Sequence, residues 1–401
     1  MVLLAASSVF AENWPRFRGI NGTGISASEL PVTWSEGDYK WVKDLPGKGN
    51  ASAVVWGDKV FVTTADEKAG NRLLYCLNPS DGSTIWEKTF PFTKFKKYRT
   101  NTYATNTPAL DDKHVYVIWK SPKSIDVYAF THEGEQVWKS ELGPYVSKWG
   151  EGSSPIVHDG IVYICNDKSG NSFLVALDAS NGKQVWRIDR KSDRDCFSTP
   201  CVYEVEGRPT EIIFTHSFRG ITGVDAKTGT KNWEIDVFET HAQRAIGSPQ
   251  IYKDLVIGSS GFTTGKRNVV IVKPTGQTGS SSVKEVYRIR GPVPHVPTPL
   301  VYKDWLFLTE DRGTISCHDA GTGDLVWQEK FRGRFKSSPV CAAGKIYVSG
   351  EEGVMHVFAA AGEFKKLGQV DLGEPLSSTP SIANGTMYIR TDTRLLAIGG
   401  K

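Results

Sequence analysis

This 401-residue chain has no apolar run long enough to cross a membrane as a helix, and none of its six cysteines forms a Cys-x-x-Cys pair. The first absence removes helical membrane proteins; the second removes thioredoxin-like and haem-attachment motifs. Also missing are a Gly-x-Ser-x-Gly elbow, a His-Glu-x-x-His pair and a Gly-rich phosphate loop ending in Lys-Ser/Thr. No nucleophile, base and orienting group therefore stand together in sequence. Charge of one sign is scarce as well: 48 basic side chains face 44 acidic ones, a formal +4, too little to argue for a specific nucleic-acid surface.

What the chain has is repetition. Thr107-Pro108, Ser154-Pro155, Thr199-Pro200, Ser248-Pro249, Thr298-Pro299, Ser338-Pro339 and Thr379-Pro380 each open a short apolar run, at intervals of roughly 40 to 50 residues. Ser52-Ala53 supplies an eighth opening without the proline. Inside each module come a tight turn, a second run such as Val115-Tyr116-Val117-Ile118, a third such as Leu174-Val175-Ala176-Leu177-Asp178, a Gly-centred turn, and a run carrying one large ring. Short β-branched and aromatic runs between turn residues read as strands. Four strands per module is the size of a propeller blade, so the sequence predicts an all-β, eight-bladed β-propeller of four-stranded antiparallel blades.

Closure is legible too. The eighth module ends after its third run, Leu395-Leu396-Ala397-Ile398, while Tyr39-Lys40-Trp41-Val42-Lys43 resembles the missing outer strand. Pairing the two seals the ring and removes its open edge. The rings Trp41, Trp86, Trp138, Trp186, Trp233 and Trp327, with Tyr287 in the fifth module, are expected to be structural, because a thin blade must pack against its neighbour.

The repeats make residues 38–401 one domain, preceded by an extension over 12–37. Residues 1–11, apolar and ending Val9-Phe10-Ala11, look like the remnant of an export signal, which predicts a periplasmic or secreted protein. Strand order puts Cys165, Cys196 and Cys201 near one face, leaving open one disulfide from Cys165 to Cys196 or Cys201. Nothing in the sequence sets an oligomeric state beyond a default monomer.

One face of such a ring gathers the connectors between blades. Its most unusual segment, between Trp86 and Pro108, interleaves Lys94, Phe95, Lys96, Lys97, Tyr98 and Arg99. Trp149, Arg244, His241 and His295 lie on other connectors of that face. The candidate contacts for a protein or anionic macromolecular partner are Lys94, Lys96, Lys97, Tyr98, Arg99 and Trp149, supported by Arg244 and His295. The paired acids Glu310-Asp311 and Glu351-Glu352 read as turn chemistry, since they lack the spacing of a calcium loop.

The strings Ser154-Pro155, Val162-Tyr163-Ile164, Ala176-Leu177-Asp178-Ala179 and Gly182-Lys183-Gln184-Val185-Trp186 resemble the quinoprotein-like, PQQ-type repeat over roughly residues 38 to 400. The resemblance implies one of two roles. Dehydrogenases of that superfamily hold pyrroloquinoline quinone and calcium on the ring axis and oxidise alcohols or sugars; other members, the outer-membrane assembly propeller among them, dock proteins without catalysis. This chain has no adjacent cysteine pair to lie against a quinone, no Cys-x-x-Cys-His segment, and no cysteine before Cys76 to accept lipid. The expectation is an exported, non-enzymatic binding or scaffold propeller with no cofactor. The alternatives are a dehydrogenase dependent on the quinone and calcium, and a carbohydrate-binding ring using Tyr98 and Trp149.

Overall fold

The structure, a computed structural model, describes residues 12–192, 194–238, 244–262, 266–276 and 282–399. The signal-like residues 1–11 and His241 lie outside the described residues. Eight sheets form an eight-bladed propeller. Blade 1 runs from Val54 to Pro91, blade 2 from Ala109 to Glu141, blade 3 from Ile156 to Arg190 and blade 4 from Cys201 to Ile235. Blade 5 runs from Gln250 to Arg290, blade 6 from Leu300 to Lys330 and blade 7 from Val340 to Asp371. Blade 8 takes three strands from Ser381 to Gly399 and its outer strand, Tyr39–Asp44, from the other end of the chain; Trp41 pairs with Ala397 and Val42 with Leu396. That pairing is the closure the sequence predicts.

The hydroxyl before each proline has a specific task. The backbone N–H of each opening residue donates to the hydroxyl oxygen of the equivalent residue one blade on. The chain of bonds runs from Ser52 through Thr107, Ser154, Thr199, Ser248, Thr298 and Ser338 to Thr379, each 2.9 to 3.1 Å long. At closure the sense reverses: the Ser52 hydroxyl donates to the Thr379 carbonyl at 2.8 Å. The following proline has no N–H to leave unpaired at the start of the innermost strand.

A second belt locks the rim. The indole N–H groups of Trp41, Trp86, Trp138, Trp186 and Trp327 donate to carbonyls of Pro79, His132, Ala179, Ala226 and Ala361 in the next blade, at 2.8 to 2.9 Å. The Tyr287 hydroxyl does the same to Ala320 at 2.6 Å. The neighbour's turn glycine lies flat on the ring: a Cβ on Gly182 would sit 2.5 Å from Trp138, and the residue is held at φ +71°. A β-bulge in every blade sets the angle of this outer strand.

Trp233 lies, as expected, in the core between blades 4 and 5, but its N–H turns back to its own blade. Opposite it stands Gly223, where blades 2 and 3 have Ala129 and Ala176, and the missing methyl lets the indole fold over its own sheet. Its N–H donates to the buried Glu211 carboxylate at 3.1 Å, which also accepts from Asn232 at 2.7 Å and Arg208 at 3.1 Å.

The extension does more than precede the ring. Residues 14–26 cross the foot of the central channel: Trp14 pairs with Val55, the Leu110 N–H donates to the Pro15 carbonyl, and Ile25–Ser26 adds a parallel strand beside Val340–Ala342. Arg16 and Arg18 are buried on the axis. Arg16 donates to the Pro200 carbonyl at 2.6 Å, and Arg18 to Pro299 at 2.8 Å and Pro339 at 3.1 Å. Burial lowers the Arg16 pKa to about 10, and burial with Arg16 alongside takes Arg18 to about 9.

All six cysteines are buried free thiols. The disulfide left open in the sequence is not formed. Cys165 donates to the Asp167 carboxylate, Cys196 lies 3.4 Å from the Ser217 hydroxyl, and Cys201 sits on an innermost strand near Arg16. Among the described residues no helix is long and apolar enough to cross a membrane.

Candidate functional site: a cavity at the channel mouth

At the end of the channel opposite the N-terminal segment, the connectors enclose a cavity of about 430 Å³. Phe17 forms part of its floor, inside the ring of hydroxyls; Trp149, Phe197, Phe262 and Phe335 supply apolar wall. Tyr98, Trp149, Arg244 and His295, four of the residues singled out in sequence, meet here.

The connector from blade 1 to blade 2 is folded as a strap, which explains its aromatic interleaving. Phe92 and Phe95 pack on Tyr103 at 4.8 and 4.9 Å, with the Arg72 guanidinium 4.9 Å over Phe92. The Tyr98 N–H donates to the Trp149 carbonyl at 3.1 Å, and the Asn101 amide to the carbonyls of Trp149 and Glu151. Lys336, from the connector between blades 6 and 7, reaches over the mouth to the Thr100 hydroxyl at 2.9 Å.

The basic residues of the strap divide. Lys94, Lys96 and Arg99 are exposed on its outer side. Lys97 is not a free contact: its ammonium donates to the Asn101 carbonyl at 2.8 Å, pairs with Glu67 at 3.2 Å and lies over Tyr103. Its position makes it a strut of the strap.

Arg244 and His295 are nearly buried in the wall. The Arg244 guanidinium lies 4.3 Å over Trp149, its Nε has no partner, and no carboxylate pairs with it among the described residues. Burial lowers its pKa, with Arg194 adding to the effect. His295 is held at about 4 by burial and by Arg267 and Arg244, so its imidazole is neutral, with Nε2 unpartnered.

Three acids face the cavity, each already bound. Glu151 takes Arg72 at 2.5 Å and the Asn106 amide at 2.7 Å. Asp311 accepts the backbone N–H groups of His295 and Val296 and lies 3.4 Å from Arg267, while Glu351 pairs with Lys336 and Arg334. Burial raises Glu151 and Asp311 against these cations. Behind the wall, Lys168 lies 3.4 Å from the Phe197 ring centre, and burial takes its amine down to about 7.

Quinone and calcium can be tested against these side chains. Calcium takes about six to eight oxygen ligands, several of them anionic. Here the acids come from separate connectors and their oxygens are spent on cations and amides. No group of three or more His, Cys, Asp or Glu is placed to hold a metal among the described residues. The donor set does not fit calcium, and Arg16 and Arg18 put two cations at the foot of the same axis.

Sequence reasoning found the connector residues and missed the floor. Phe17 sits in the Asn13-Trp14-Pro15-Arg16-Phe17-Arg18-Gly19 string, whose Trp and two Arg within so short an extension were the available signal. The hydroxyl role of the Ser/Thr openings had a signal as well: the position before proline is always Ser or Thr, never another residue that favours extended backbone.

The family described as outer membrane protein assembly factor BamB matches over residues 26–120, 123–281 and 265–364. By sequence the chain is 25% identical over 180 residues to a polyvinylalcohol dehydrogenase of a Pseudomonas species, covering 41% of this chain and 26% of that one, so it spans about a quarter of that relative. In structure it resembles BamB from Moraxella catarrhalis, with TM-score 0.67 at 15% identity over 93% of this chain and 100% of the other. It also resembles the quinohemoprotein alcohol dehydrogenase of Comamonas testosteroni, with TM-score 0.63 at 13% identity over 97% and 81%. At such identities the likeness to solved structures is one of fold.

Proposed function

The chain belongs to the family of the outer membrane protein assembly factor BamB, and from that premise we propose that it is an exported, non-enzymatic binding propeller whose connector face recognises a protein or other anionic macromolecular partner. The observation that carries this reading is the convergence of Tyr98, Trp149, Arg244 and Lys336, from separate connectors, on one aromatic cavity, with Lys94, Lys96 and Arg99 on the strap above it. A rigid ring holding aromatic anchors beside cations, of which Lys94, Lys96, Arg99 and Arg244 have no ion-paired carboxylate among the described residues, suits capture of an acidic surface. The acids of the cavity are held by Arg, Lys and amide partners, which favours fixed recognition geometry over a free general base. The family description names outer membrane protein assembly, which supports a location outside the cytoplasm. A sugar platform is less favoured, because Arg244 covers the Trp149 ring.

Replacing Lys94, Lys96 and Arg99 together by Glu tests the assignment. Capture of the partner from envelope extract is expected to fall at least about tenfold, roughly 1.4 kcal/mol, with the melting temperature nearly unchanged. Undiminished capture would refute it.

The dehydrogenase relatives favour a second reading, an oxidoreductase using a quinone in this cavity. Titration with pyrroloquinoline quinone and calcium, followed by the quinone spectrum and dye-coupled alcohol oxidation, separates the two. Saturable binding with turnover would displace the binding reading.

A further inference from the structure

Hydrogen-bond accounting at the floor of the cavity leaves a surplus of donors. A Ser or Thr hydroxyl has one hydrogen to give and two lone pairs. In seven of the eight ring positions the oxygen accepts the neighbouring blade's N–H, and among the described residues the hydroxyl hydrogen has no acceptor. All seven are at least nine-tenths buried and face the cavity. Only Ser52, at the closure, spends its hydrogen, on the Thr379 carbonyl.

The surplus is greatest on one side. Arg244 lines the same cavity as Thr199, Ser248 and Thr298 of blades 4 to 6; its Nε is unpartnered and no carboxylate is in ion-pair contact with it among the described residues, although Asp195 is near enough to oppose the fall in its pKa. Beneath the same sector, Arg16 holds the carbonyl of Pro200 and Arg18 that of Pro299, the residues that follow Thr199 and Thr298. Neither guanidinium has a carboxylate partner among the described residues. Buried donors without acceptors are costly, and an apolar aromatic wall strengthens each bond they make. A cation is repelled here, and an acceptor-poor apolar ligand leaves the donors unpaired.

We propose that this sector of the floor is an oxyanion seat, in which the hydroxyls of Thr199, Ser248 and Thr298 and the Arg244 guanidinium together bind one carboxylate or phosphate group presented down the channel axis. The proposal deepens the docking reading and rests on the connector face being the recognition face. A carboxylate has about four lone-pair sites, enough to take three hydroxyls and one guanidinium N–H. Two sources present that chemistry: a free small anion, or the C-terminal carboxylate of a partner chain.

Calorimetric titration of the full chain distinguishes them, with inorganic phosphate, a tetrapeptide ending in tryptophan with a free C-terminus, and the same tetrapeptide amidated. Saturable binding of phosphate or of the free-carboxylate peptide is expected, with the amide at least about tenfold weaker than the free peptide. Tighter phosphate identifies a free anion; a tighter peptide identifies a chain terminus. Arg244→Met, which leaves the ring bonds intact, is expected to weaken the bound probe at least about tenfold. Thr298→Val should do the same, and Thr298→Ser, which keeps both the acceptor and the hydrogen, should bind like the parent. The seat is overturned if no probe binds, if the amide binds as well as the acid, or if Arg244→Met and Thr298→Val both bind like the parent while folded. Probe binding alongside a charge-reversed strap that still captures its partner upholds the seat and removes the docking reading. Loss of capture on strap reversal with no probe bound removes the seat alone.

Discussion

The rim of the ring and its axis solve the same problem, joining one blade to the next, by different means. At the rim, an aromatic N–H or O–H reaches the following blade's carbonyl and a glycine of that blade lies on the ring, in a form repeated with little change from Trp41 to Trp186. At the axis, small hydroxyls link backbone to backbone, and the foot of the space they surround is closed by a segment that occurs once, Arg16-Phe17-Arg18. Repetition builds a wall efficiently, because each interface needs the same fit. It does little to fill the hole that eightfold arrangement leaves, since the inner strands present their carbonyls there and, of their own side chains, the Gln250 amide reaches one, that of Pro249. The guanidiniums of the extension supply what the repeat lacks.

The sharpest way to break this contrast is at the rim. Trp186→Ala removes a ring that is 7% exposed, together with its bond to Ala226, and should cost about 3–5 kcal/mol in urea unfolding. Binding at the channel mouth should be unchanged in the folded fraction. A cost below about 1 kcal/mol would mean that the belt does not hold the blades together.

What the sequence disclosed follows the same division. The blades, the closing strand at Trp41 and the aromatic docks recur at fixed spacing, so one copy interprets the next. The connector residues Tyr98, Trp149, Arg244 and His295 were identifiable because topology alone puts connectors on one face. The floor was not, because contacts from Arg16 to Pro200 and from Arg18 to Pro339 join positions far apart in the chain and leave no periodic trace. Lys97 could not be separated from Lys96 by composition; only the fold of the strap sets one inward on Glu67 and Asn101. Gly223 was legible in principle, being the missing methyl that turns Trp233, yet in the string Gly223-Val224-Asp225-Ala226 it passes for an ordinary repeat member.

Acid should act on the ring through its buried histidines, since the rim indoles do not titrate. His216 is fully buried against Asp167, and burial holds its pKa at about 4. Arg190 and Arg219 press it in the same direction, and Asp167 opposes them. Its folded value lies below the unfolded value near 6.5, so the unfolded chain takes up the proton first. The associated stability is present in full above about pH 6.5 and is lost as the pH falls toward about 4, at most about 3 kcal/mol for this residue. Urea midpoints measured at intervals between pH 7 and 4.5 should fall, and His216→Asn should flatten that slope. A slope unchanged by the substitution would place the acid sensitivity elsewhere.

The smallest effect sharpens the comparison most, because it sets a tryptophan whose N–H bonds the next blade against one whose N–H bonds its own. Trp186→Phe keeps most of the ring and removes an N–H from the neutral Ala226 carbonyl, for about 0.5–1.5 kcal/mol. Trp233→Phe removes an N–H from the Glu211 carboxylate, which has no exposure and among the described residues keeps Asn232 and Arg208 as side-chain partners, for about 1.5–3 kcal/mol. Trp233 should therefore be the more sensitive to loss of its N–H by about 1 kcal/mol, although that N–H makes no bond to the next blade. Equal costs in urea unfolding would show that ring packing outweighs the polar atom in both. The reverse order would show that the bond between blades, repeated around the rim, is the stronger of the two devices.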